Sequence, residues 1–208
     1  MASVASPYGL KPVNELGGTP YAGATRSYLI DPAGTASNIY NGSPVYVNSS
    51  GYLAVATATG ADATTNGFPV GTANTGIVGV FVGCSYINAQ GQVIYAQYYP
   101  TGTTGVINAY VVDDPGVVFQ VQSAGTVTQA AVGANVFFST GAVATGSTST
   151  GNSTASVVAG ASAVTTTAAF RVVGFVNMQG FSVVGDAYTD ILVKINPGYH
   201  TFTNAVGL

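Results

Sequence analysis

Residues 76–100 read GIVGVFVGCSYINAQGQVIYAQYYP, and the fold turns on how this stretch is read. β-branched and aromatic residues fill both halves, while Asn88-Ala89-Gln90-Gly91 between them has the composition of a reversal, so the pattern predicts two long strands joined by a short turn. The first arm is apolar on both faces. With Ile77 and Phe81 on one side and Val78, Val80, Val82 and Cys84 on the other, it needs cover from a second sheet or from another subunit. In the second arm Val93, Tyr95, Gln97 and Tyr99 alternate with Gln92, Ile94, Ala96 and Tyr98. This gives an amphipathic edge of tyrosine and glutamine without charge, suited to contact with protein.

Working outward, Pro44-Val45-Tyr46-Val47 and Tyr52-Leu53-Ala54-Val55 flank Asn48-Ser49-Ser50-Gly51, a hairpin signature. Residues 60–75 read as a loop. A strand over 106–112 is turned by Asp113-Asp114-Pro115-Gly116 into a second over 117–122. Further strands are expected within 127–138, at 155–158, over 170–178 and over 187–195, the last with Ile191, Val193 and Ile195 inward and Asp190, Leu192 and Lys194 on the other face. Residues 139–168 are low-complexity Gly, Ala, Ser and Thr, a loop or an edge hairpin. No helical periodicity and no internal repeat is present. The expected fold is all-β, an antiparallel sandwich or barrel (jelly-roll-like) of about nine to eleven strands in a β-domain over 37–196.

The ends read differently. Residues 1–36 hold four prolines and five glycines, which forbid helix and weaken a free strand, so an extended N-terminal docking arm is expected, with Tyr8, Leu10, Tyr21 and Tyr28 as spaced anchors. Residues 197–208 read as a C-terminal tail. The N-terminal MASVASPYGL has neither the basic start nor the apolar run of an export signal, which points to release by lysis.

Composition excludes much. Four Lys/Arg and seven Asp/Glu among 208 residues make 5% charge, against about 25% in ordinary soluble domains. Lys11, Arg26, Arg171 and Lys194 are too scattered for a phosphate-binding patch, so nucleic acid is not an expected partner. Gly, Ser and Thr interrupt every apolar run before membrane-spanning length. Cys84, the single cysteine, permits no intrachain disulfide and no cysteine metal site, and reads as a buried strand residue. The lone histidine, His200, stands beside Pro197 and Gly198 and reads as a surface or interface residue. Asp113 and Asp114 are adjacent, so on a strand they point to opposite faces and cannot flank one scissile bond. Their expected role is in the turn, with a weak Ca²⁺ or intersubunit contact as the alternative. No enzyme, metal or cofactor is expected. Tyrosine is the residue type in excess, 13 with no tryptophan, and protein interfaces use tyrosine freely. Tyr95, Tyr98 and Tyr99 join the arm residues and the two aspartates as interface candidates.

Four segments in order, VASPYGLKPVNELGGTPYAGATRSYLI (4–30), GVFVGCSYINAQGQVIYAQYYP (79–100), VVDDPGVVFQVQ (111–122) and DILVKIN (190–196), resemble small proteins encoded beside the major capsid protein of tailed phages. They are similar to head decoration, or cement, proteins. The resemblance brings no catalytic residues. It implies a non-enzymatic virion protein on the outer face of an HK97-type capsid, bound as symmetric oligomers. The implied partners are the major capsid protein of the same phage and further copies of the chain, a trimer being favoured and a dimer possible. A tail or fibre component and a lectin-like surface-binding module are the alternatives.

Overall fold

The computed structural model describes residues 4–56, 76–139, 145–158 and 168–203. Twelve strands lie in them: β1 (Lys11–Glu15), β2 (Arg26–Ile30), β3 (Pro44–Val47), β4 (Leu53–Val55), β5 (Gly79–Ile87), β6 (Val93–Ala96), β7 (Ile107–Val112), β8 (Val117–Ala124), β9 (Asn135–Val136), β10 (Val157–Val158), β11 (Phe170–Phe175) and β12 (Asp190–Ile195). The only helices among the described residues are single 3₁₀ turns, Gln129–Ala131 and Pro197–Tyr199, so none is long and apolar enough to cross a membrane.

Five strands close a ring. β2 pairs with β7, β7 with β5, β5 with β3, β3 with β4, and β4 returns to β2 through Ile30 and Leu53. Alternation on each strand sends one set of side chains inside, where Ile30, Val45, Leu53, Phe81, Ile107 and Val111 form a core. β3 meets β5 only at Gly79 and Val80; farther along the same edge, β6 takes its place against Cys84–Ile87. A sheet ordered β1-β8-β12-β11-β9, with β10 parallel to β8, completes the molecule. Its Phe119, Val121, Ile191 and Val193 pack with Val80 and Val112 from the outside of the ring.

The cover that the first arm of the central hairpin demands therefore comes from within the chain: β5 lies between two cores. Its faces differ from strict alternation. Ile77, Val80 and Val82 face the second sheet while Val78, Phe81 and Cys84 face the ring interior, so Val80 and Val82 do not share a side with Val78 and Cys84, and Phe81 does not share one with Ile77. Parity breaks at Gly79 and again at Gly83, where the β5–β7 register shifts and φ is 151°. A residue inserted into the count at each glycine is what lets one strand serve two cores.

Several local expectations hold. The reversal at 88–91 is closed by Gly91 N–H to Asn88 O (3.0 Å), and Asn88 Oδ1 accepts the N–H of Gln90 and Gln92. β3 and β4 form the expected hairpin, and Ile191, Val193 and Ile195 are buried. Residues 57–75, 140–144 and 159–167 lie outside the described residues, and with them the expected loop and part of the low-complexity stretch. Residues 127–138 hold the expected strand at their C-terminal end only: a 3₁₀ turn at Gln129–Ala131 comes first, then Asn135–Val136 pairs with β11 and Phe138 bridges Val157.

The ends are corrected too. Residues 1–36 are not an arm apart from the β-domain: β1 is an edge strand on β8, β2 is a stave of the ring, and Leu10 is fully buried. Pro12 is tolerated because an edge strand needs only half its N–H groups, and the register slips between Pro12 and Asn14. Nor is the stretch after residue 196 a free tail. The 3₁₀ turn swings the chain back so that His200 bridges Ile77, and Tyr199 joins the core.

Candidate interaction surface

Tyr99 and Leu10 are not surface residues: both have zero exposure. Tyr99 follows two bends that end the alternation of β6, and its hydroxyl donates to Thr103 O (2.9 Å) and accepts from Thr35 N–H (3.2 Å), plugging one end of the ring. Tyr8 is half-buried beneath the Lys11 ammonium, 4.3 Å from its ring centroid. Burial, and then the Asp190 carboxylate, hold its hydroxyl above the ordinary phenol range. Tyr98 stacks on Tyr40 at 5.6 Å.

Tyr21, Tyr28, Asp113 and Asp114 come together at one end of the molecule. Asp113, nearly buried, accepts Arg26 Nε (3.1 Å) and the Tyr28 hydroxyl (2.7 Å). Desolvation and then that hydrogen bond raise the Tyr28 pKa; burial followed by the Asp113 charge raises that of Tyr21. Asp114 Oδ1 accepts Gly116 N–H (2.7 Å), the expected turn role. Arg26, with the Phe202 ring 5.1 Å from its guanidinium carbon, forms one wall of an open groove shared with Thr25, Pro115 and the aspartates. Among the described residues no three His, Cys, Asp or Glu side chains gather as metal ligands.

Behind this groove sits His200, fully buried rather than at a surface or interface. Its Nδ1 accepts Phe202 N–H (3.2 Å), which leaves the proton on Nε2, an atom without a well-formed hydrogen bond against the backbone of Asp113. Desolvation lowers its pKa, and the opposing pull of Asp113 and Asp114 does not prevail. The fold thus holds His200 neutral. Below about pH 6.5 the unfolded chain takes up a proton that the fold refuses, and stability falls by up to about 1.4 kcal/mol per pH unit until the lowered folded pKa is reached. The thermal midpoint should therefore drop as the pH falls below about 6.5, and His200→Gln should flatten that part of the profile. An equal slope in the variant would rule His200 out as the source.

A neutral exposed area lies elsewhere, on the outside of the ring. Register places Leu29, Asn108, Ser85 and Tyr95 in one row across β2, β7, β5 and β6, all facing away from the ring interior. Ile87 and Val93 form the next pair on that face, and Val106 precedes β7 beside Ile87. Ile87, Val93 and Val106 are each more than half exposed, and Tyr95 is 78% exposed. From residue 63 to 112 the chain has no charged side chain. The nearest formal charge by register is Asp31 at the rim, whose Oδ1 is engaged by Ala33 N–H. Of this surface the sequence marked Tyr95, with Val93 on the same edge. Leu29, Ile87 and Val106 come from other places in the chain, and the signal that could have found them is the outward parity of each strand next to a buried neighbour such as Ile30 or Ile107.

No protein-family model matches the chain, and neither a curated protein nor a solved structure is significantly similar to it.

Proposed function

We propose that this is a non-enzymatic virion structural protein that decorates and cements the outer surface of an HK97-type phage capsid, with the major capsid protein as partner. The observation that carries the reading is the neutral apolar face of Leu29, Ile87, Val93, Tyr95 and Val106. Exposed apolar side chains gathered on one face of a β-sheet mark an association site. The two side chains best suited to covalent or acid–base chemistry are out of solvent: His200 has no exposed surface, and burial pushes the Cys84 thiol pKa up to about 12. The side-chain amides near Tyr98 are engaged within the chain, Gln97 donating to Asn152 and Asn38 donating to the Tyr40 hydroxyl and accepting Thr101 N–H, which favours a protein-binding role over a lectin-like one.

Purified protein mixed with undecorated heads of its phage should co-sediment with them. Leu29→Asp and Val106→Asp should each weaken binding at least tenfold, about 1.4 kcal/mol, because a carboxylate would be buried without a partner. Val173→Asp, on the other sheet, should bind as the parent does. Occupancy should persist in about 1 M salt, where the Debye length is ~3 Å, since the face has no ion pairs to screen. Equal binding by all variants, or release by salt alone, would sink the proposal.

A further inference from the structure

Two of the sheet edges among the described residues, β1 and β6, are built to opposite rules. β1 carries Lys11, Pro12 and Glu15 and has an irregular register between Pro12 and Asn14. Charges, proline and bulges are the devices that stop an edge from pairing with another chain. β6, Val93-Ile94-Tyr95-Ala96, has none of them. Asn88 N–H bonds Gln92 O (2.9 Å), so alternation along the ladder makes Tyr86–Ile94 and Cys84–Ala96 the bonded pairs with β5. The N–H and C=O of Val93 and Tyr95 then point away from β5, and both residues are more than half exposed.

We infer that β6 pairs antiparallel with β6 of a second copy, about a two-fold axis through Ile94. In that register Val93 faces the second copy's Tyr95, and the outward N–H and C=O groups of both form four backbone hydrogen bonds. Ile94 meets its own counterpart on the opposite side. The pairing keeps face parity, which requires paired positions to sum to an even number, and it sets a β-branched residue against an aromatic one, a favoured cross-strand pair. Centring on Tyr95 instead would need Gln97, which lies in a bend and is bonded to Asn152. A second copy is the occupant that the charge pattern selects. The chain is net negative, yet residues 63–112 are neutral, so two copies approach along this edge without like-charge opposition, while a charged strand would find nothing to pair with.

The contact is small. A patch on the order of 400 Å² is about half the ~800 Å² per partner of a standard stable interface, so the pair forms with concentration rather than as an obligate dimer. Its consequence is geometric: continuing the sheet sets the two outer faces side by side as one neutral surface. This deepens the association reading above and rests on it for its role.

Sedimentation velocity from about 1 µM to about 1 mM should show a monomer passing to a dimer. Val93→Pro removes an outward N–H while sparing the β5 ladder, and Tyr95→Lys places like charges beside the axis. Both should remain monomeric across the series, with circular dichroism confirming the fold; Tyr95→Lys carries the test if the proline variant does not fold. Leu29→Asp should dimerise as the parent does while losing the heads. A monomeric parent at all concentrations, a trimer, or dimers in the edge variants would overturn the edge pairing even if heads are bound. Dimerisation without head binding would leave the edge standing and remove the capsid reading.

Discussion

Deleting residues 2–25 should abolish cooperative folding or lower the thermal midpoint by more than ~10 °C, which for a chain of this size is ~3 kcal/mol or more. The deletion takes Leu10, fully buried in the core between ring and sheet, and the whole of β1. Truncating one buried leucine alone costs 2–5 kcal/mol as an order of magnitude, against a total of about 5–15 kcal/mol for a domain. With β1 go the bonds of Leu10 N–H to Gly42 O (2.9 Å) and Leu16 N–H to Gly116 O (2.7 Å), and β8 is left with an open edge over Val117–Gln120. Two further variants separate packing from simple shortening. Leu10→Ala should reproduce much of the loss, whereas removal of residues 2–5, which takes the bond of Gln122 Nε2 to Val4 O (3.1 Å), should cost no more than about 1 kcal/mol. Urea unfolding followed by circular dichroism suits a protein without tryptophan. A 2–25 deletion that melts within ~2 °C of the parent would return these residues to the status of a loose arm.

This segment shows what was legible in the residues and what was not. Hairpins were readable because turn and strands are neighbours: Asn88 and Asn48 each nucleate a reversal whose hydrogen bonds lie within four residues. β1 pairs with residues 117–120, more than 100 positions away, and no local signal names that partner. Proline and glycine there spoke truthfully against helix, but they do not exclude an edge strand held by the rest of the sheet. His200 fails for a related reason. Pro197 and Gly198 looked like the start of a tail, whereas proline at the first position of a 3₁₀ turn is what reverses the chain and drives the next residues into the core. Tyr99 lies next to Tyr95 and Tyr98 in the sequence, yet the bends at Gln97 and Tyr98 separate it from β6. The neutral face was half legible. Its lack of charge is a property of composition, but its assembly from β2, β5, β6 and β7 depends on ring closure, which is wholly non-local.

Ring closure in turn depends on Gly79, and Gly79→Ala should be among the most damaging single substitutions in the protein. Here β5 pairs with β3 on one side, Val45 opposite Gly79, while β7 lies against the other. A Cβ at this position would fall inside the van der Waals shell of Val112 O and 2.8 Å from Val111 Cγ1. Neither neighbour can step aside: Val112 belongs to the β7 backbone, and Val111 is a fully buried part of the ring core. Backbone must move, and it must move where the change of side-chain parity lets Val78 enter one core and Val80 the other. Overpacking of this kind reaches about 3 kcal/mol, or roughly 6–12 °C in thermal midpoint for a chain of this length. Gly174→Ala is the matched control. It is also a strand glycine, at a register shift in β11, but its Cβ would meet nothing nearer than Leu192 Cδ1 at 4.0 Å. There the methyl group reduces the freedom of the unfolded chain without crowding the fold, so the change should be neutral or stabilising by up to about 1 kcal/mol. If the two variants melt together, the close approach of β5 and β7 at Gly79 does not hold the ring. If Gly79→Ala alone collapses while Gly174→Ala does not, the space beside Gly79 is what lets β5 be shared by the ring and the sheet.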